Sequence, residues 1–287
     1  MLNGLIKATP VRLKCCDKLI FIKMHFHKFQ GNGNDFVLFD NRENTFKLNA
    51  SQVQMICDRR FGIGADGLIL LNPSQKHDFE MVYYNSDGNV SSLCGNGGRC
   101  IAAYARLLGI VAKKMTFDAY DGTHKAIIES EIVTGKEWDI RLQLADVNEV
   151  EIDEGYYFLN TGSPHYVEFV SKVAEIDVVN EGRKTRESER FTPEGTNVNF
   201  VEESENRIFV RTYERGVEQE TLSCGTGVVA SAIATFLNSG QKDIPVHTIG
   251  GDFRVTFTNI KDGEKDKFTD IWLRGPVKLA FEGEINI

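Results

Sequence analysis

Long apolar runs are missing from this chain. No stretch approaches the roughly 20 residues that a helix needs to cross a bilayer, so a soluble, cytoplasmic protein is expected. Runs of Lys or Arg are missing too. With a net charge of -8 and a pI near 5.4, the chain has neither the basic footprint of a nucleic-acid binder nor a polybasic membrane anchor. A small molecule is the expected partner, with no nucleic acid and no membrane; a homodimer is the assembly considered. Cysteine is sparse, six in 287 residues, with no Cys-x-x-Cys pair and no regular framework. A chain of this length builds its cores without disulfides, which points to a reducing compartment. The first 23 residues, including Cys15-Cys16 and Leu19-Ile20-Phe21-Ile22, lack the apolar core and cleavage site of a signal peptide. Met24 is therefore expected to open the functional part, with residues 1–23 a peripheral extension or an over-long reading frame.

What the chain does contain is a repeat. Leu93-Cys94-Gly95-Asn96-Gly97 and Ser223-Cys224-Gly225-Thr226-Gly227 lie 130 positions apart, and each leads into a run of small and apolar residues. The same offset lays Gly33-Asn34-Asp35-Phe36-Val37 over Ser163-Pro164-His165-Tyr166-Val167, and Phe79-Glu80-Met81-Val82-Tyr83 over Phe209-Val210-Arg211-Thr212-Tyr213. Three stretches at one spacing imply a duplicated unit, which the length accommodates as two domains.

Most of the chain alternates apolar and polar residues at period two, as in Asp78–Tyr84, Arg207–Tyr213 and Phe253–Phe257, and reads as antiparallel strands. Turns fall at Asp87-Gly88, Asp121-Gly122, residues 203–206, Gly250-Gly251 and Asp262-Gly263. Helical patterns are few: Ser51 to Arg60 with Ser51 as N-cap, Cys94 to about Leu108, and Cys224 to about Leu237. The last two are apolar almost all round, so they must be buried. The fold expected is α+β, with two pseudo-symmetric domains that each curl a mainly antiparallel sheet around a central buried helix. The boundary falls between Glu137 and Ala145, giving residues 24–140 and 141–274.

A cysteine at a helix N-terminus faces unpaired N-H groups and the positive end of the helix, a setting that lowers a thiol pKa. The adjacent glycines allow close approach to a backbone able to hold a carboxylate. Two such devices facing one cleft suit a reaction that removes a proton from one face of a carbon and returns one to the other. That is racemisation or epimerisation, with Cys94 and Cys224 as the acid/base pair.

The segments His27–Phe36, Asp58–Gly67, Tyr84–Gly88, Cys94–Cys100, Gly162–His165, Asn197-Val198, Tyr213–Gly216 and Cys224–Gly227 resemble, in order, the diaminopimelate epimerases, enzymes independent of pyridoxal phosphate. The resemblance implies interconversion of LL- and meso-diaminopimelate for lysine and peptidoglycan synthesis, with no cofactor and no metal. It implies a carboxylate held by backbone N-H groups of Gly95, Asn96, Gly225 and Thr226. Asn34, Asn85, Asn197, Glu214 and Arg215 would line the substrate site, and His165 and Glu214 would tune the sulfurs. It also implies that residues 275–287 pack with the N-terminal domain. Arg215 offers a planar fork for a distal carboxylate, and Asn side chains both donate and accept. Two positions depart from the family: Gly67 replaces a common Gln, and Ser163, kept as a site residue, replaces a common Asn. Water or Thr161 would substitute for the lost amides.

Other readings are weaker. Gly62-Ile63-Gly64-Ala65-Asp66-Gly67 matches a dinucleotide fingerprint, but a helix pattern precedes it and a strand follows, the reverse of the order that binds pyrophosphate. A thiol-redox protein would place its cysteines closer in sequence. A proline-racemase-like enzyme, acting on a one-ended substrate, leaves Arg215 without a role.

Overall fold

The computed structural model describes residues 23–263 and 265–286. The expected N-terminal extension, apart from Lys23, lies outside the described residues, as do Cys15 and Cys16.

The first copy of the repeat comprises β1 (Lys23–Gly31), β2 (Asn34–Asp40), α1 (Ala50–Cys57), β3 (Gly67–Asn72), β4 (Phe79–Asn85), β5 (Val90–Ser91), α2 (Gly95–Leu107), β6 (Lys114–Ala119), β7 (Gly122–Val133) and β8 (Glu137–Gln143). The second comprises β9 (Val150–Asp153), β10 (Tyr156–Asn160), β11 (Pro164–Phe169), a short 3-10 turn (Val173–Glu175), α3 (Val178–Arg186), β12 (Asn197–Glu203), β13 (Ile208–Glu214), β14 (Gln219–Thr221), α4 (Gly225–Ser239), β15 (Ile244–Thr248), β16 (Gly251–Asp262) and β17 (Lys265–Asn286). Shifting the boundaries of β2 to β7 by 130 lands on β11 to β16 within a few residues, and α1 and α2 land on α3 and α4.

Strand pairing closes each copy into a barrel. The first runs β1-β2-β3-β4-β6-β7-β8-β17 and returns to β1. The second runs β9-β10-β11-β12-β13-β15-β16-β17, and the bridge Val147↔Phe268 joins its ends. Among the described residues only β2–β3, β4–β6, β11–β12 and β13–β15 are parallel. A parallel pair needs a long crossover, and each of these four uses one helix as that crossover. The sheet is therefore mainly antiparallel, and every helix has a topological reason to exist.

The crossovers divide by composition. In α2, Gly95 through Ala105 are all buried, and in α4 so are Gly225 and Gly227 through Thr235. Uniform apolarity sends these two into the barrels, against Phe29, Phe36, Trp138, Phe253 and Phe268. Helices α1 and α3 have apolar residues on one side only, and they cap the outside of β2–β3 and β12–β13. Helix α3 has no counterpart in the sequence reading. Its mean composition is polar and Gly182 interrupts it, because a Cβ there would lie 2.4 Å from Tyr213 Cβ. Helix α1 also starts earlier than expected. Asn49, not Ser51, is the N-cap, in a capping box with Gln52, and the helix stops at Cys57 because Asp58 takes the N-H groups of Arg60 and Phe61.

The long β17 ties the copies together. Its first part pairs with β16 in the second barrel, Gly275 to Lys278 pair with β8, and Lys278 to Asn286 pair with β1. Phe268, fully buried at the start of this strand, packs edge-on against Phe257 and Phe236. Replacing Phe268 with Ala is expected to cost about 3–5 kcal/mol, read as a lower urea midpoint; a loss below about 1 kcal/mol would contradict this packing account.

Candidate functional site

The two barrels bring the N-termini of α2 and α4 together. A Cβ built on Gly225 would lie 3.5 Å from the Cα of Gly95, and one built on Gly95 would lie 3.7 Å from the Cα of Gly225. A Cβ on Gly225 would also press on Leu273 Cδ2 at 3.0 Å, so the junction is close with little room for side chains. Cys94 and Cys224 occupy the N-caps, and neither side chain caps its helix. A good capping residue would absorb first-turn N-H groups. Cysteine leaves them for the sulfurs and for a ligand: Gly97 and Asn96 direct N-H groups at Cys94, and Gly227 does so at Cys224.

The expectation that helix ends would lower both thiol pKa values is overturned. Burial raises Cys94 and pushes Cys224 up to about 12, with Glu214 adding to the rise in both, while the first-turn N-H groups oppose it. The helix ends act as predicted but are outweighed by desolvation. Burial likewise raises Glu214 itself.

Beneath Cys94 lies a buried polar network. Arg99 is fully buried, donates to Asn32 Oδ1 at 2.7 Å and to Asn96 Oδ1 at 3.0 Å, and stacks over Phe253. Among the described residues its Nε has no partner. Desolvation draws this guanidinium down to about 10, which still leaves it charged at neutral pH. Asn96 Nδ2 turns to Asn34 Oδ1 and Ser223 Oγ, and Ser223 donates to the carbonyl of Asn32 at 2.8 Å. Asn34 Nδ2 donates to Asp66 at 2.6 Å, leaving its Oδ1 3.5 Å from Cys94 Sγ. Asp66 is held in turn by Arg59, which also grips Asp35.

Beneath Cys224 the partners differ. His165 is fully buried, with Nε2 2.9 Å from Thr226 Oγ1 and Nδ1 3.2 Å from Asn199 Nδ2. Thr226 Oγ1 lies 3.5 Å from Cys224 Sγ. His165 thus reaches Cys224 through Thr226, and burial keeps its imidazole neutral, with a pKa lowered to about 3.

A cleft of about 850 Å³ opens above the helix ends. Asn34, Asn85, Cys94, Gly95, Asn96, Ser163, Asn197, Glu214, Arg215, Cys224, Gly225 and Thr226 all line it; His165 lies behind Thr226 instead. Asn197 spends its amide on protein, donating to Ser163 Oγ and the carbonyl of Pro164 and accepting from the N-H of Arg215. It positions neighbours rather than presenting a free amide. Arg215 donates to the carbonyl of Glu194, and no ion pair holds its guanidinium among the described residues. Thr161 does not replace a lost amide, because its hydroxyl donates to the carbonyl of Thr226. The space of the lost Gln is taken by Tyr83, whose ring edge is 2.5 Å from where a Cβ on Gly67 would sit. Tyr83, Arg99, Ser223 and Asn199 are the members that sequence reasoning missed. Arg99 was visible as a charge among the small and apolar residues of the first turns of α2, and Asn197-Val198-Asn199 as two amides on one face of an apolar strand.

The Gly62–Gly67 loop spends its N-H groups on the end of α1, with Ile63 and Gly64 both donating to the carbonyl of Ile56, so it offers no phosphate cradle. Possible metal ligands cluster at His25, His27 and Glu282. There His27 Nε2 pairs with Glu282 at 3.1 Å, and among the described residues its buried Nδ1 has no partner, whereas metal-bound imidazoles normally donate that second N-H. The trio stands on β1 and β17 beside Tyr104, away from the cleft.

Two opposed thiols at a positively polarised helix junction can exchange protons with opposite faces of a carbon whose carboxylate rests on that junction. Comparison with known proteins gives a matching picture. The family model described as diaminopimelate epimerase matches residues 26–137 and 157–271, one stretch in each copy. A diaminopimelate epimerase of Flavobacterium psychrophilum is 49% identical over 267 residues, covering 91% of this chain and 100% of its own. One of Chlorobaculum tepidum is 39% identical over 269 residues, covering 90% and 99%. Among solved structures, a Bacillus anthracis phenazine biosynthesis protein of the PhzF family superposes with a TM-score of 0.72 at 15% identity, covering 93% of this chain and 100% of its own. A hydroxyproline epimerase of Agrobacterium vitis superposes with a TM-score of 0.67 at 13% identity, covering 92% and 93%. At such identities the structural likeness concerns the fold.

The Tyr83 substitution has a direct test. Gly67→Gln is expected to overpack the site and cost about 1–3 kcal/mol, with Tyr83→Ala in the same chain relieving only the part due to the ring, since the carbonyl of Tyr84 also lies 2.6 Å from that Cβ. Unchanged stability of Gly67→Gln would show that Tyr83 does not fill that space.

Proposed function

Because the chain belongs to the diaminopimelate epimerase family, we propose that it interconverts LL- and meso-diaminopimelate by proton transfer between its two cysteines and the substrate alpha carbon. The observation that carries this reading is the meeting, at Gly95 and Gly225, of two helix N-termini that each place a cysteine at the N-cap position. The reacting carboxylate rests on first-turn N-H groups of Gly95, Asn96, Gly225 and Thr226, which stabilise the charge that builds up as the alpha proton leaves. One sulfur takes that proton as thiolate while the other, as thiol, gives a proton to the opposite face. The roles reverse in the other direction.

The remote end explains why the substrate has two amino-acid termini. Arg215 suits the distal carboxylate, since a guanidinium can meet both oxygens. Asn85 and the Ser163 hydroxyl, which accepts from Asn197 and so keeps its hydrogen to donate, supply further polar contacts. Tyr83 presents a phenol to the cleft beside Gly67. Glu214, near both sulfurs, holds negative charge in check and disfavours two thiolates at once.

The test is to incubate LL- and meso-diaminopimelate in deuterated water with wild type, Cys94→Ala and Cys224→Ala. Wild type is expected to place deuterium at the alpha carbon as the isomers interconvert, and each variant to lose about 10²- to 10⁴-fold in epimerisation. Absence of alpha-carbon deuterium with wild type would overturn the reading.

A further inference from the structure

We propose that Tyr83 is a specificity-determining residue of the cleft: its hydroxyl accepts a hydrogen bond from the ammonium group on the reacting carbon of the substrate. The inference deepens the reading under which the cleft takes diaminopimelate, and rests on it.

The hydroxyl of Tyr83 is fixed in place and unspent. The side chain belongs to the core of the first barrel and is only 9% exposed. Its ring packs edge-on against Phe36, with centroids 5.9 Å apart, and fills the space beside Gly67, where a Cβ would lie 2.5 Å from the ring edge and 3.1 Å from the hydroxyl oxygen. A ring held on both sides has no room to swing away. Yet among the described residues the hydroxyl has no hydrogen-bond partner, and it is not sealed from the cleft that Tyr83 lines. A buried phenol normally finds a partner inside the protein. This one is presented to whatever enters.

The second copy of the repeat supplies the contrast. Register pairs Tyr83 with Ile69 and Thr212 with Asn199, and Ile69 and Asn199 are themselves 130 positions apart. Thr212 therefore holds the corresponding place, and its hydroxyl is spent on Asn199 Oδ1 at 3.0 Å. Ile69 offers no such acceptor. The first copy thus carries a hydroxyl on a larger side chain with nothing across the strand to consume it.

Charge decides which group it meets. Cys94, Asp66 and Glu214 all act on the phenol through space, Cys94 most strongly of the three, so the hydroxyl stands at the reacting end of the cleft. No salt bridge neutralises Glu214 among the described residues. The positive helix junction takes the carboxylate of the reacting carbon, and the acidic surroundings of Tyr83 suit the ammonium on that same carbon while they repel a second carboxylate. An ammonium has only donors and needs acceptors. Burial chiefly, and then the same acidic groups, raise the phenol pKa from its ordinary value, so the hydroxyl stays neutral and keeps its lone pairs available.

Tyr83→Phe keeps the ring and its packing and removes only the oxygen. Binding to wild type and variant is read by titrating the backbone amide ¹H-¹⁵N spectrum with two ligands, diaminopimelate and pimelic acid, the second having the same dicarboxylate chain without amines. The variant is expected to bind diaminopimelate about 10- to 100-fold more weakly, the loss of a hydrogen bond to a charged group, and pimelate with unchanged affinity. A merely structural role would weaken both ligands alike. Equal affinity of the two proteins for diaminopimelate would overturn the proposal, as would an equal weakening of pimelate, which would assign the hydroxyl to a carboxylate. Failure of the wild type to bind diaminopimelate would overturn the substrate reading itself, so the two failures are distinct.

Discussion

The head-on meeting of two helix N-termini at Gly95 and Gly225 is the constraint on which the rest of this structure depends. Like poles of two macrodipoles face each other there, with the buried cation of Arg99 close behind. Such a junction is held only if both helices are fixed along their whole length. The barrels do this by enclosing α2 and α4 on all sides, and the uniform apolarity of those helices follows from the enclosure. The positive pole so created complements one chemical group best, a carboxylate acquiring further negative charge. Under the proposed function the helix ends serve the transition state more than the sulfurs, whose pKa values are raised chiefly by burial.

Duplication supplies the geometry and divergence supplies the chemistry. Both copies use the same crossovers, with one helix inside and one outside each barrel, and β17 spans both barrels so that neither closes without the other. The inner faces have diverged. Asn34 offers Cys94 an acceptor, whereas Thr226 offers Cys224 a hydroxyl backed by His165 and Asn199. Asn32, in the left-handed region at φ 51, sits between the copies. It receives Arg99 from α2, donates to the carbonyl of Asp252 and accepts from Ser223. The two networks therefore meet without merging.

Much of this was legible in the sequence. The Cys-Gly-x-Gly pair pointed to the repeat and the buried helices, and the structure brings both cysteines to one cleft. Helix α3 escaped because local composition argued against it, although the offset of 130 from α1 points to it. The capping Asn49 lost to Ser51 in the reading because either can cap and each has a Gln three residues on; Gln52 closes the box with Asn49, whereas Gln54 donates to the carbonyl of Asp87. The sign of the thiol pKa shift was missed since a sequence shows which residue starts a helix but not how deeply the helix start is buried. Tyr83 in the space beside Gly67 and Asn199 behind His165 are contacts between strands, set by register rather than by local pattern.

The central claim is that both helix ends hold one carboxylate together. Its most direct measurement is the movement of the backbone amide ¹H-¹⁵N resonances of Gly95, Asn96, Gly225 and Thr226 as diaminopimelate is titrated into the protein. The account predicts that amides of both helices move with a single saturation curve; movement confined to one helix, or to neither, would contradict it.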